Sequence, residues 1–228
     1  MAAEEAGAET IEIEGRDVDV PLSALGERQA RALGQWFARQ PDQERPSLIL
    51  SSPYARARQT SALLAGELPD AKPRCMVDER LREKEFGALN RFTKAGILAR
   101  FPEEARRRAD IGKFYYRPPG GESWCDVVLR LRTVAHDLCS RFADEERVLI
   151  VAHQVVVLCF RYIFEGLDEA HLLEVDRAAE VANCSITSYR EDPNGGLFGL
   201  ELLRYNFVAP LEQAGEPVTA APDPAAVK

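Results

Sequence analysis

Residues Arg147–Arg161, RVLIVAHQVVVLCFR, decide the fold. Val148 to Val151 is a short unbroken apolar run rich in β-branched residues, which predicts a strand buried on both faces of a parallel sheet. The run breaks at Ala152-His153-Gln154, and Val155 to Phe164 then reads as a helix apolar nearly all round. His153 therefore stands where a buried strand passes into a buried helix, at the carboxyl edge of a sheet. Open α/β sheets bind ligands at that edge, and helix N-termini attract anions. The same place also suits a packed histidine satisfied by backbone groups, so position alone leaves both readings open.

Working outward, the same alternation of short apolar runs and amphipathic stretches recurs. Leu48-Ile49-Leu50 predicts a second buried strand, and Cys75 to Val77 a weaker third. Ser23 is a candidate N-cap for a helix running to about Ala38, with Leu25, Ala32, Leu33, Trp36 and Phe37 at helical spacing. Pro53 marks a helix start, and Tyr54 to Leu68 reads as that helix. Thr93 to Phe101 and Pro102 to Ala109 predict two short helical pieces. Trp124, Val127, Val128, Leu131, Val134, Ala135, Leu138 and Phe142 form the apolar stripe of a long helix. An acidic helical piece spans Asp168 to Val175. Cys184 to Tyr189 and Leu197 to Tyr205 alternate as strands, joined through Pro193-Asn194-Gly195-Gly196 as a hairpin.

Helices alternating with buried strands predict a three-layer α/β sandwich: a mostly parallel sheet flanked by helices, closed by a C-terminal antiparallel hairpin. Residues 1–208 read as one domain, beginning with a short helical or loose segment over 1–14. Residues 209–228, Ala-, Pro- and Glu-rich without periodicity, read as a disordered tail. With 228 residues, 46% hydrophobic and 29% charged, the chain has the composition of a soluble globular protein. A net charge of −8 argues against nucleic acid as a partner. No apolar run approaches a membrane span, and Met1 to Thr10 is unlike a signal peptide. The 5 scattered cysteines show no metal-ligand spacing and read as reduced thiols, so the expected setting is cytoplasmic, with no metal.

Three polar segments fall where the sheet's carboxyl edge lies. In Ser51-Ser52-Pro53-Tyr54-Ala55-Arg56, Arg56 sits one turn into a helix that follows a strand, so its guanidinium can fold back over the edge. A guanidinium suits phosphate because it stays charged and binds as a bidentate fork; a solvated helix arginine is the plainer reading. Glu83, in the charged loop DERLREKEFGALN over 78–90, can act as a general acid if its surroundings raise its pKa. By itself it is a surface charge. The third segment is His153-Gln154. His136 and His171 fall on polar helix faces and read as surface residues.

Taken in order, GRDVDVPLSALGERQARALG, SSPYARARQT, LREKEFG, FYYRPPGGES and VLIVAHQ resemble the histidine phosphatase superfamily, the phosphoglycerate mutase-like phosphatases. They span roughly residues 15–190, and the tract from Lys113 to His153 with its His-Gln pair looks most like the fructose-2,6-bisphosphatase branch. The resemblance implies a phosphomonoesterase acting on a small phosphorylated metabolite through a phosphohistidine, with no cofactor. It makes Glu83 the proton donor, His153, Arg56 and Gln154 phosphate ligands, and places Gln154 and Lys113 where that branch has substrate contacts. Leu158 stands where that branch carries an arginine, which leaves the substrate open.

One departure bears on activity. The family opens with a strand ending in Arg-His-Gly, whose histidine is the nucleophile, and no histidine here follows an arginine or precedes a glycine. By the resemblance, residues 1–14 match the end of the family's first loop, and the first central strand, beside the strand that ends at His153, is missing. Covalent catalysis by that route then lacks its nucleophile, and the 228-residue chain is expected to be inactive and prone to association through an open sheet edge. The alternative is a pseudoenzyme that keeps Arg56 and His153 only to bind phosphate or a partner; a third reading is an α/β interaction domain without a ligand. Retention of Glu83 favours the enzyme, because a binding protein needs no proton donor.

Overall fold

Each apolar run becomes the element its periodicity predicts. A computed structural model of the chain describes residues 8–11, 15–69, 72–143, 147–193, 195 and 198–220. Helix α1 (Ala24–Ala38) is capped by Ser23, whose side chain accepts from the Gly26 N–H. Strand β1 (Leu48–Ser51) leads into α2 (Ala55–Glu67), and β2 (Arg74–Val77) follows. The Tyr54 backbone is extended at the N-cap of α2, so Pro53 precedes the helix rather than starting it. Short helices α3 (Lys94–Arg100) and α4 (Pro102–Ile111) precede the long α5 (Trp124–Ser140). At the start of α5, Ser123 and Asp126 form a reciprocal capping box. Then come β3 (Val148–Val151), α6 (Gln154–Glu165), α7 (Glu169–Ala178), the pair β4 (Ile186–Glu191) and β5 (Leu200–Phe207), and α8 (Ala209–Ala214).

The first three strands form a parallel sheet in the order β2-β1-β3, and β4 and β5 form a separate antiparallel pair. Strand alternation sends Leu48, Leu50, Val148 and Ile150 to a core with α5 and α6, and Ile49, Leu149 and Val151 to a second core with α1 and α2. The hairpin enters both: Tyr189 and Leu200 pack in the first core, Ile186 and Phe207 in the second. This is the expected sandwich, with helices on both faces of the sheet.

Two further expectations need correction. β3 is not buried on both faces: all four of its residues are half-buried, whereas β1 is buried throughout. The reason is topological, since among the described residues β3 is the outer strand of its sheet and only β1 bonds to it. The tail expected to be disordered from residue 209 instead opens with α8. Leu211 there is wholly buried, and Gln29 donates to the Pro217 carbonyl at 2.7 Å. One buried leucine docks the segment, which an average over its composition conceals; residues 221–228 lie outside the described residues. At the other end, most of 1–14 also lies outside them, but 8–11 runs as a non-helical segment tied to α3. Thr10 bridges Phe92, and the Thr93 hydroxyl donates to the Ala8 carbonyl at 2.6 Å. Part of the expected hairpin turn, Asn194 and Gly196, is likewise outside the described residues.

Candidate active site

The ends of β1 and β3 lie side by side because the two strands pair in register. Past that register the Ser52 N–H still donates to the Val151 carbonyl at 2.9 Å, so Ser52 and His153 leave the sheet together. Ser52 is fully buried, and its hydroxyl lies 2.8 Å from His153 Nε2. The Tyr54 N–H donates to the same hydroxyl oxygen at 3.3 Å. A hydroxyl can give or take a hydrogen at Nε2; with an acceptor-only carboxylate on the Nδ1 side, the tautomer assigned carries its hydrogen on Nδ1, and the Ser52 hydroxyl donates to Nε2. Nδ1 faces the Glu83 carboxylate, whose Oε2 is 3.7 Å away.

His153 is also the N-cap of α6, with extended backbone and no side-chain cap bond, so its backbone lies beside the unpaired N–H groups of the first turn. Burial, then the cations of Arg56 and Arg130, pull its pKa down from 6.5 to about 3. Loss of hydration and two guanidiniums outweigh a carboxylate at 3.7 Å. His153 is therefore neutral near pH 7 and offers an N–H without competing for a phosphate's proton.

Tyr54 packs edge-on to His153, ring centroids 4.9 Å apart, and the Arg56 guanidinium lies over the tyrosine ring, 4.6 Å from its centroid. Burial, then the carboxylates of Glu85, Asp17 and Glu83, push the Tyr54 phenol well above its ordinary pKa, so it remains a donor. Arg56 itself is engaged: Nη1 donates to the Asp17 carbonyl and to Oδ1, both at 3.0 Å, and Nη2 to Oδ2 at 3.3 Å.

Glu83 is held from below by the chain itself. The Lys84 N–H donates to Glu83 Oε1 at 2.8 Å. The loop that carries it packs backbone to backbone against the PPGGES segment, and glycine is what permits the approach. A Cβ on Gly87, whose φ is +53°, would lie 2.2 Å from the Pro119 carbonyl oxygen, and one on Gly121 would lie 2.5 Å from that of Glu85. Two stretches quoted separately from the sequence are thus one mated unit.

The structure brings Glu83 and His153 into contact range and sets Arg56 one ring away. It places Lys113 elsewhere: its ammonium pairs with the buried Asp176 at 2.6 Å, above the Trp124 ring, in a pocket shared with Lys84 and Arg108. Gln154 opens α6 with a buried Oε1 that has no protein partner. His136 and His171 are exposed, as expected. Sequence reasoning passed over Ser52, Tyr54 and Asp17 as functional residues. Ser52 and Tyr54 carried a signal, since both flank the break after β1 in the quoted SSPYARARQT; Asp17 carried none. Among the described residues no cluster of three or more His, Cys, Asp or Glu side chains is arranged to hold a metal, and no helix is long and apolar enough to cross a membrane.

Known proteins resemble the chain in sequence and fold. The model of the histidine phosphatase superfamily (branch 1) matches residues 5–203. A 6-phosphofructo-2-kinase/fructose-2,6-bisphosphatase of Caenorhabditis elegans is 36% identical over 159 residues, 69% of this chain but only 32% of that protein. A 2,3-bisphosphoglycerate-dependent phosphoglycerate mutase of Gloeobacter violaceus is 29% identical over 198 residues, 84% of each chain. A mycobacterial glucosyl-3-phosphoglycerate phosphatase, solved with inorganic phosphate, superposes with a TM-score of 0.67 at 28% identity, covering 89% of this chain and 94% of that one.

Proposed function

The chain belongs to the histidine phosphatase superfamily, branch 1, and on that premise we propose that the carboxyl edge of the sheet, where Arg56, Glu83 and His153 lie, receives the phosphoryl group of a small phosphomonoester. The observation that carries the reading is the meeting of Glu83 with His153, 3.7 Å apart at the start of α6. Phosphoryl transfer spreads negative charge over equatorial oxygens and builds an alkoxide on the leaving group. The neutral His153 donates from Nδ1 to a phosphate oxygen and Arg56 exchanges Asp17 for the phosphate, while Glu83 stands where it would protonate the leaving oxygen if a nucleophile attacked phosphorus. The buried Gln154 Oε1 is left to accept from a substrate hydroxyl, and Lys113 faces a second polar part of the substrate from its own pocket. The cytoplasm is the proposed compartment, in keeping with five free thiols.

Covalent transfer needs an unhindered histidine aimed at phosphorus. His153 is bonded to Ser52, and His136 and His171 are exposed on α5 and α7. The 228 residues are accordingly proposed to bind the phosphomonoester and to lack turnover by the phosphohistidine route. The second reading, a pseudoenzyme, is favoured by one observation: Arg56 is already satisfied by Asp17.

Calorimetric titration with phosphate and with vanadate, alongside hydrolysis of p-nitrophenyl phosphate, tests the proposal. Saturable binding weakened at least about tenfold by Arg56→Ala and by His153→Ala is expected, since each removes a charged or buried hydrogen-bond partner. Robust turnover abolished by His153→Ala would overturn the assignment of His153 as a ligand only; absence of any phosphate binding would overturn the site.

A further inference from the structure

Glu83 lies in a loop between two short 3-10 turns, Glu79–Leu81 and Gly87–Leu89, yet a proton donor must be held within a fraction of an ångström of its target. What holds it is a face of α5 that the sequence presents as ordinary helix surface. Arg130, Thr133 and Asp137 are spaced three and four apart and so share one side of the helix. Arg80 Nη2 donates to Asp137 Oδ2 at 2.6 Å and Nη1 to the Thr133 hydroxyl at 3.2 Å. Arg130 goes further. Its Nη1 donates to the Arg80 carbonyl and its Nη2 to the Glu83 carbonyl at 3.4 Å, so a single guanidinium spans both ends of the acid loop.

Arg130 is in turn fixed by Glu122. The Glu122 carboxylate accepts from Arg130 Nε at 3.0 Å and Nη2 at 3.1 Å, from Arg82 Nη2 at 2.5 Å and from the Glu85 N–H at 3.1 Å. Its backbone N–H donates to the Glu85 carbonyl at 2.8 Å. The side chains of Arg130 and Glu122 are only 10% and 12% exposed. A charge pair that deep gives little net stability for the desolvation it costs, so fold stability alone does not account for it. Of the side-chain bonds the pair makes beyond itself, those to Arg80, Glu83 and Glu85 end on backbone and one reaches the Arg82 guanidinium.

We propose that Arg130 and Glu122 are positioning residues that set the Glu83 carboxylate against His153. The inference rests on the reading of Glu83 and His153 as the reacting pair, and its test uses the His153 ring and needs no turnover. In the full chain labelled with 15N-histidine, the imidazole shifts of His153 near pH 7 report how strongly the hydrogen is held on Nδ1 facing Glu83. Glu83→Gln removes the carboxylate and is expected to move these shifts. Arg130→Lys keeps the positive charge near His153 but has no fork to span the two carbonyls. In that background Glu83→Gln is expected to move the shifts less than half as far, because the carboxylate is no longer in place to be lost. Glu122→Gln, which frees Arg130, is expected to give the same reduced response. If the Glu83→Gln response is undiminished in both backgrounds, the positioning role is refuted, and Arg130 and Glu122 serve the fold alone. If Glu83→Gln moves nothing in the otherwise unaltered protein, the pairing of Glu83 with His153 fails instead, a distinct result. Should Arg130→Lys not fold, Glu122→Gln carries the comparison by itself.

Discussion

His153→Gln should flatten the acid side of the stability curve, and the size of the effect follows from the buried ring. In the unfolded chain the imidazole titrates near 6.5, and in the folded protein burial, with Arg56 and Arg130, lowers this to about 3. A depressed folded pKa means that the unfolded state binds the extra proton. The stability contributed by the neutral ring is thus whole above 6.5 and drains away as the pH falls toward 3. At pH 5 the unfolded ring is almost fully protonated and the folded ring is not, so the loss is about 1.5 pH units at about 1.36 kcal/mol each, about 2 kcal/mol. Glutamine keeps a polar head near Ser52 but cannot titrate. Urea unfolding near pH 7 and near pH 5 gives the two free energies for each protein. The unaltered protein should lose about 2 kcal/mol more than the variant over that interval. Carboxylates that also titrate there cancel in the comparison. Parallel losses in the two proteins would refute the neutral, desolvated ring, and with it the account of how the site takes up phosphate.

Asp17→Asn should tighten phosphate binding several-fold in a calorimetric titration, because Arg56 is released from a charged partner while keeping a carbonyl; unchanged affinity would place Arg56 outside the phosphate site. Gly87→Ala should cost more than about 2 kcal/mol in a urea melt, since the new methyl meets the Pro119 backbone and the residue has positive φ. Ser123→Ala should cost about 1 kcal/mol through loss of the capping box at α5, measured in the same way. Leu131→Ala, at a fully buried position on α5, should cost about 2–5 kcal/mol.

Much of the architecture was legible in the chain because it is written in local periodicity. Four- to seventeen-residue runs carry the pattern of one buried face, and caps such as Ser23 and Ser123 act within three residues of themselves. The order of those runs decided a sandwich with the break after β3, at His153, on the carboxyl edge of its sheet, and the motif order decided the family. Tertiary structure decided the rest, because the partners are far apart in sequence: Ser52 meets His153 across 101 positions, Lys113 meets Asp176 across 63, and Arg56 meets Asp17 across 39. No periodicity announces such pairs; they exist only once β1 and β3 lie in register and the glycines let two loops touch. For the same reason the half-burial of β3 escaped prediction: an apolar run shows what a strand is able to bury, but the neighbours that bury it are chosen by topology.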